Sequence, residues 1–169
     1  NPVYDWNRLE EDRFRWWIMR MKRNLELFDY VRLDHFRGFA GYWEIPAHEE
    51  TAVNGKWVDA PGEKLFRALV KRFSILPIIA EDLGVITPDV HLLRKDMGFP
   101  GMKVLQFAFS QNDGSNPDAL HNHTRDSVVY TGTHDNNTTM GWFLGEASQE
   151  ERRNFLTYMG SENDESVIH

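Results

Sequence analysis

The chain has 169 residues, a net charge of −7 at pH 7 and no cysteine. A chain of this length can bury the core of one domain, while its negative charge disfavours nucleic-acid binding. The lack of cysteine excludes disulfides, thiolate metal sites and cysteine nucleophiles, and fits a reducing compartment such as the cytoplasm. Because no apolar run approaches about 18 residues, no membrane span is expected.

The first predicted elements are a helix, a strand and a long loop. Asp5 to Leu27 is predicted to be one helix, because apolar residues recur at helical spacing, at Phe14, Trp17, Ile18, Met21, Leu25 and Phe28. A strand is predicted from Tyr30 to Asp34. From Gly38 to Gly62 the sequence is punctuated by Gly, Pro and Asn without a sustained period, which favours a functional loop.

The later segments continue the alternation of helix and strand. A helical stripe from Leu65 to Phe73 is followed by a buried strand from Leu76 to Ala80 and by a helix from the N-cap Thr87 through Pro88 to Asp96. A strand is then predicted from Met102 to Phe107, and a polar turn region from Asn112 to Asn122. The last predicted elements are a strand from Val128 to Thr131 and a helix opened by the capping box Ser148 and Glu151.

This alternation predicts an α/β fold with parallel strands joined by right-handed crossovers. The chain is nevertheless short of the roughly 250 residues of a complete (β/α)8 barrel. We therefore expect residues 1–169 to be one partial catalytic domain, roughly the C-terminal half of a (β/α)8 TIM barrel with a long active-site loop, truncated from a longer enzyme.

Three carboxylates end short β-rich apolar runs, namely Asp34, Glu81 and Asp135. Parallel α/β barrels assemble their chemistry at the C-terminal ends of their strands, so these three acids can converge. Two carboxylates across a glycosidic bond are the minimum needed to split it, and a third can stabilise the positive charge on the sugar. An acid at a strand end can also cap a helix or pair with a base, and spacing alone leaves both interpretations open.

The surroundings of the three acids suggest different roles. Arg32 and Asp34 lie two apart on a strand and project to the same side, which favours an ionised Asp34 and a role as nucleophile. Glu81 follows an apolar strand without a basic neighbour, which suits a general acid. Asp135, next to His134, could hold sugar hydroxyls and stabilise the transition state.

Three motifs resemble one enzyme family. They are Val31-Arg-Leu-Asp-His-Phe-Arg-Gly-Phe39, Ala80-Glu-Asp-Leu-Gly84 and Thr131-Gly-Thr-His-Asp-Asn136. They resemble the second, third and fourth signature regions of the α-amylase clan, in the form typical of 4-α-glucanotransferases (amylomaltases, or disproportionating enzymes). The loop from Ile45 to Val58 is similar to the loop that overhangs the cleft in this family.

The resemblance implies a retaining double displacement on α-1,4-glucans such as maltooligosaccharides. Asp34 would attack the anomeric carbon, and Glu81 would protonate the leaving oxygen and later deprotonate an acceptor hydroxyl. Arg32, His134 and Asp135 would line the subsite of the reacting glucose. His35 and Trp57 would reach the acceptor side.

The sequence departs from the family at two points. The clan's first signature has no counterpart here, which leaves the donor subsite incomplete, and at Asn137 many relatives carry Asp. Two alternatives to a transferase stay open, an α-glucan hydrolase of the same clan and a fragment that is inactive in isolation. Oligomeric state and preferred chain length are also open.

No cofactor or metal is expected. His121 and His123, with Asp118 and Asp126 nearby, lack a defined ligand period, which favours a solvated loop. Asp82, the neighbour of Glu81, is predicted to form a structural salt bridge or cap.

Overall fold

The computed structural model describes residues 2–111 and 114–161, which fall into two compact units, Asn1–Gly101 and Met102–His169. Within these residues the strands pair two by two, as β1 with β4, β2 with β3, and β5 with β6. None of the helices in the described ranges has the length and apolar character needed to cross a membrane.

The first unit alternates helices and strands as expected. Its elements are α1 (Trp6–Glu11), α2 (Arg15–Leu27), β1 (Val31–Leu33), a 3-10 helix (Phe36–Phe39), β2 (Gly41–Glu44), β3 (Lys56–Asp59), α3 (Gly62–Phe73), β4 (Ile78–Ala80) and α4 (Pro88–Asp96). Strands β1 and β4 are parallel neighbours, as predicted. The helix predicted to end at Asp96 ends there, with Pro88 in its first turn.

The prediction of one continuous helix from Asp5 to Leu27 is wrong. The helix is interrupted between α1 and α2, where Arg13 and Phe14 adopt the left-handed conformation with φ of 54° and 56°. The break aims Phe14 into the core, where it is 4% exposed and packs with Trp17 and Met21. Burial of a phenylalanine contributes roughly 1.5–3 kcal/mol, enough to offset a strained backbone.

The loop predicted between Gly38 and Gly62 contains an antiparallel hairpin, so the expectation that all strands are parallel is also corrected. Strands β2 and β3 pair with Trp43 opposite Trp57. The aromatic rings of this pair meet edge to face at 5.6 Å, and such cross-strand pairs stabilise a hairpin. At the end of the ladder, Lys56 and Glu44 form an ion pair of 3.2 Å.

The core of the first unit lies around the parallel pair of strands. Its least exposed side chains come from the 3-10 helix, α3, β4 and α4. Each is at most 1% exposed, namely Phe36, Leu65, Phe66, Leu69, Ile78, Ala80 and Val90. Phe36 stacks on Phe66 at 5.5 Å. Because Phe36 directly follows His35, this packing fixes the backbone just beyond the end of β1.

In the second unit, one predicted strand is shorter than expected. The elements of this unit are β5 (Gly101–Val104), 3-10 helices (Leu105–Phe109 and Leu120–Asn122), β6 (Ser127–Tyr130), α5 (Thr139–Gly141), a π-helical turn (Trp142–Glu146) and α6 (Gln149–Tyr158). The strand predicted from Met102 to Phe107 ends at Val104 because the chain then turns to bury Phe109 against Trp142 and Phe155. The predicted capping box of Ser148 and Glu151 is confirmed.

Candidate active site

Asp34 and Glu81 are neighbours because of the strand register. The last aligned residues of the parallel pair are Leu33 and Ala80, and the N–H of Glu81 continues the ladder by donating to the carbonyl of Leu33 at 2.9 Å. Each acid is the first residue after its strand. Adjacent strands lie about 4.8 Å apart, so the two carboxylates start from neighbouring points on one edge of the sheet.

The carboxylate of Glu81 is held by two backbone amides. Its Oε2 accepts from the N–H of His35 at 2.7 Å, and its Oε1 accepts from the N–H of Leu83 at 3.0 Å. His35 presents its N–H from a left-handed conformation, with φ of 48°. The backbone beside Asp34 therefore orients Glu81 directly.

Asp34 pairs with Arg32 as the strand spacing predicts. The guanidinium and the Asp34 carboxylate are 3.1 Å apart, and the Asp34 side chain is 74% exposed while that of Arg32 is 29% exposed. The ion pair engages one carboxylate oxygen, and the side chain stays accessible, as the proposed nucleophile requires.

A cavity of about 460 Å³ adjoins this edge within the first unit. Arg32, Asp34 and His35 line it together with aromatic side chains, namely Tyr4, Trp6, Trp17, Phe39 and Tyr42. Burial, followed by the charge of Glu44, raises the pKa of the Tyr42 phenol above its ordinary 10.0. Tyr42 therefore presents a neutral hydroxyl at physiological pH.

Asp135 lies in a polar turn of the second unit, just after β6. Asn136 closes this turn, because its Oδ1 accepts from the N–H and the hydroxyl of Thr133 at 2.9 Å each. The carboxylate of Asp135 is 80% exposed and lies 3.3 Å from Nε2 of His134. The adjacent pair can offer both an acceptor and a ring N–H to sugar hydroxyls. The convergence of Asp135 with Asp34 and Glu81 stays a prediction.

Trp57 lies on β3 with 56% of its surface exposed, as a residue that binds ligand by stacking would. Sequence reasoning missed its partner Arg37, whose guanidinium lies 4.3 Å from the indole centroid. Arg37 is part of the family-like motif that begins at Val31, and that position was the one available signal.

Asp82 forms the predicted structural salt bridge. Its Oδ2 lies 3.1 Å from Nε of Arg94, and the two side chains are only 8% and 9% exposed. Arg94 was not predicted, because its position in an amphipathic helix gives no sign that it is buried. This pair anchors the backbone directly after Glu81.

The histidines of the second unit make protein contacts. His121 contacts the hydroxyl of Tyr158 at 3.0 Å and the carbonyl of Gly114 at 2.9 Å, and His123 contacts the carbonyl of Asp118 at 2.8 Å. Among the residues that the structure describes, no cluster of three or more His, Asp or Glu side chains could hold a metal ion.

Comparison with known proteins identifies several relatives. A 4-alpha-glucanotransferase of Thermus thermophilus is 58% identical over 146 residues, which is 85% of this chain and 29% of the relative. One from Synechocystis sp. is 52% identical and covers 99% of this chain and 33% of its own length. The chloroplastic/amyloplastic enzyme of Solanum tuberosum is 50% identical, with 99% and 29% covered. The chain therefore spans about a third of the length of such relatives.

Two solved structures share the fold. An amylomaltase from Streptococcus agalactiae in complex with acarbose superposes with a TM-score of 0.92 at 40% identity, covering 99% of this chain and 34% of the other. The amylomaltase of Corynebacterium glutamicum, at 20% identity, has a TM-score of 0.72 with 99% and 23% covered, and supports the fold alone. The family model described as 4-alpha-glucanotransferase matches residues 1–169. The chain belongs to the 4-α-glucanotransferase family.

Proposed function

We propose that this chain is part of the catalytic domain of a 4-α-glucanotransferase, which transfers segments of α-1,4-glucans to acceptor glucose or maltooligosaccharides. One observation carries the proposal, the parallel register that aligns Leu33 with Ala80 and so makes Asp34 and Glu81 neighbours. Two acids on one edge, one ion-paired and one held by amides, suit a retaining mechanism.

The first half of the reaction forms a covalent intermediate. A carboxylate oxygen of Asp34 attacks the anomeric carbon while the bond from that carbon to the leaving oxygen breaks. Glu81 gives its proton to the leaving oxygen.

The second half reverses these roles. The 4-hydroxyl of an acceptor glucan attacks the anomeric carbon, Glu81 takes the hydroxyl proton, and the bond to Asp34 breaks with its electrons returning to the carboxylate. The product is a new α-1,4 bond with the original configuration. If water attacks instead, the same steps give hydrolysis.

The remaining predicted residues bind the sugar. Arg32 holds Asp34 and borders the reacting glucose, and Asp135 with His134 bonds its hydroxyls as the ring flattens. His35 and Trp57 contact the acceptor. These roles are supported by the exposure of Trp57 and by the proximity of His134 to Asp135.

We further propose that residues 1–169 belong to a larger (β/α)8 barrel. Support comes from the parallel pairing of β1 with β4 and from the third of the relatives' length that the chain spans. A cytoplasmic location stays a prediction, and the potato relative is chloroplastic or amyloplastic by name.

Incubating the complete gene product with maltotriose tests the function. Transfer predicts glucose together with a ladder of longer maltooligosaccharides. Hydrolysis would give only shorter products, and would contradict the transferase. Absence of any product from the complete gene product would contradict both enzymatic proposals.

A further inference from the structure

Arg37 connects three segments of the first unit around the proposed catalytic edge. It belongs to the 3-10 helix that follows Asp34 and His35. Its backbone is fixed on both sides, because Phe36 and Phe39 are 0% and 7% exposed in the core. The side chain therefore leaves from a rigid point three residues beyond the proposed nucleophile.

The guanidinium reaches the loop that follows Glu81. Its Nη1 donates to the carbonyl of Val85 and to the hydroxyl of Thr87, both at 3.1 Å. Val85 is itself 88% exposed, so its side chain adds little that would anchor this loop. Glu81 is also bonded to His35, and the loop is thus tied at both ends to the segment from Asp34 to Phe39.

Thr87 extends the connection into α4. It occupies the N-cap position but makes no side-chain capping bond to the helix backbone. Its hydroxyl instead accepts from Arg37. The hydroxyl also hydrogen-bonds to the Asp89 carboxylate, and the bond from Thr87 to Asp89 is the main reason why the pKa of Asp89 lies below its ordinary 3.8. The hydroxyl that could cap the helix is used to hold Arg37.

The same guanidinium covers one face of an exposed indole. It lies 4.3 Å from the centroid of Trp57, and Trp43 meets the ring edge to face at 67°. With both contacts in place, 56% of Trp57 is still exposed. The apolar face of a pyranose stacks on such an exposed indole surface.

We propose that Arg37 is a positioning residue that holds the indole of Trp57 as a stacking platform for an acceptor glucosyl unit, by fixing it to the loop that follows Glu81. The inference rests on the proposed transferase function and deepens it. Arg37 itself does not touch the reacting atoms. It acts by orienting the ring and by linking the hairpin to the loop beyond the general acid.

The test separates donor chemistry from acceptor binding in the complete gene product. With α-maltosyl fluoride as donor, the initial burst of fluoride reports formation of the glycosyl-enzyme, and the dependence of turnover on maltose reports the acceptor KM. In Arg37→Met we expect the acceptor KM to rise roughly two- to thirty-fold, the range of one partly exposed cation–π contact, while the burst stays within about two-fold.

A double-mutant cycle tests whether Arg37 acts through Trp57. Because the platform is lost in Trp57→Ala, adding Arg37→Met should not raise the acceptor KM further. Arg37→Lys keeps a cation beneath the ring but loses the planar fork, so its KM should fall between wild type and Arg37→Met. The matched control is Arg67→Met, since Arg67 is exposed on α3 and pairs with Glu63.

The possible outcomes are distinct. An unchanged acceptor KM in Arg37→Met, additive effects in the cycle, or an equal loss of burst and acceptor binding would each overturn the inference. If Arg37→Met does not fold, Arg37→Lys and Trp57→Phe are used instead, with the same measurements of the fluoride burst and the acceptor KM. Failure of the wild type to extend maltotriose would instead contradict the proposed function itself.

Discussion

At the scale of single residues, the candidate site combines charges that are held in different ways. The Asp34 carboxylate is exposed and paired with one guanidinium, whereas both oxygens of Glu81 accept backbone amides. The first arrangement suits the proposed nucleophile. The second fixes the orientation of the proposed general acid, which in that role must reach one atom of the glucan.

Asp89 provides a pH-dependent prediction at the same scale. The Thr87 hydroxyl, two backbone N–H groups and the Arg37 charge together outweigh desolvation and lower the pKa of Asp89 below 3.8. A lowered folded-state pKa stabilises the fold above the unfolded value, and this stability is lost as pH falls through the lowered value. Asp89→Asn should therefore be less stable than wild type near pH 6, with the difference shrinking below about pH 4.

Chemical denaturation at several pH values between 7 and 3 measures this difference. Thr87→Val is the companion variant, because it removes the largest cause of the shift while keeping the shape of the side chain. The stability difference between Thr87→Val and wild type should also shrink below about pH 4. A stability difference for Asp89→Asn that stays constant down to pH 3 would contradict the assignment.

At the scale of elements, the segment after Glu81 is fixed by the buried pair of Asp82 and Arg94. Arg94 also donates to the carbonyl of Phe99 at 2.8 Å, which ties the end of α4 to the turn that precedes β5. Gly101 lies directly against this pair, since a Cβ built there would lie 2.5 Å from Oδ2 of Asp82. The buried pair of Asp82 and Arg94 therefore requires glycine at position 101.

Gly101→Ala should destabilise the protein by about 1–3 kcal/mol, because the added methyl group has to displace a buried, ion-paired carboxylate. The control is Gly145→Ala, where a Cβ would meet nothing within 4 Å and the change should stay within about 0.5 kcal/mol. Urea denaturation of the two variants measures both values. Equal stability of the two variants would show that the close approach at Gly101 is not a constraint.

Sequence reasoning succeeded for elements governed by local patterns. The α4 helix and the capping box of α6 carry their own start signals, and the two-residue spacing of Arg32 and Asp34 predicts their pairing. It failed where tertiary burial decides. No Gly or Pro lies between Asp5 and Phe14 to signal a break, yet the helix is interrupted there because the core accepts that side chain.

The candidate site shows the same limit. Strand order and acids at strand ends predict that Asp34 and Glu81 meet, and the register of β1 with β4 agrees. The partner of Trp57 could not be predicted, since its contact with Arg37 joins residues 20 positions apart on different elements. The hairpin that carries Trp57 is built from two strands of only four residues, too short to give a clear period.

At the scale of the whole molecule, the chain spans about a third of the relatives' length, and its described strands pair two by two. A closed barrel needs continuous pairing around the sheet. The proposed activity thus belongs to the complete gene product, in which the donor side of the cleft can be completed. In our proposal, Asp34, Glu81 and Asp135 are this chain's contribution to that cleft.

The central claim is that Asp34 forms the covalent glucosyl-enzyme beside Glu81. It is tested most directly by trapping the complete gene product with a fluorinated glucosyl fluoride and mapping the labelled peptide by mass spectrometry. Asp34→Asn is the negative control, and Asp29→Asn, at the opposite end of β1, is the matched control variant. We expect one glucosyl label on Asp34, lost in Asp34→Asn and kept in Asp29→Asn. A label on Glu81 or Asp135, or turnover with inversion and no label, would contradict the account.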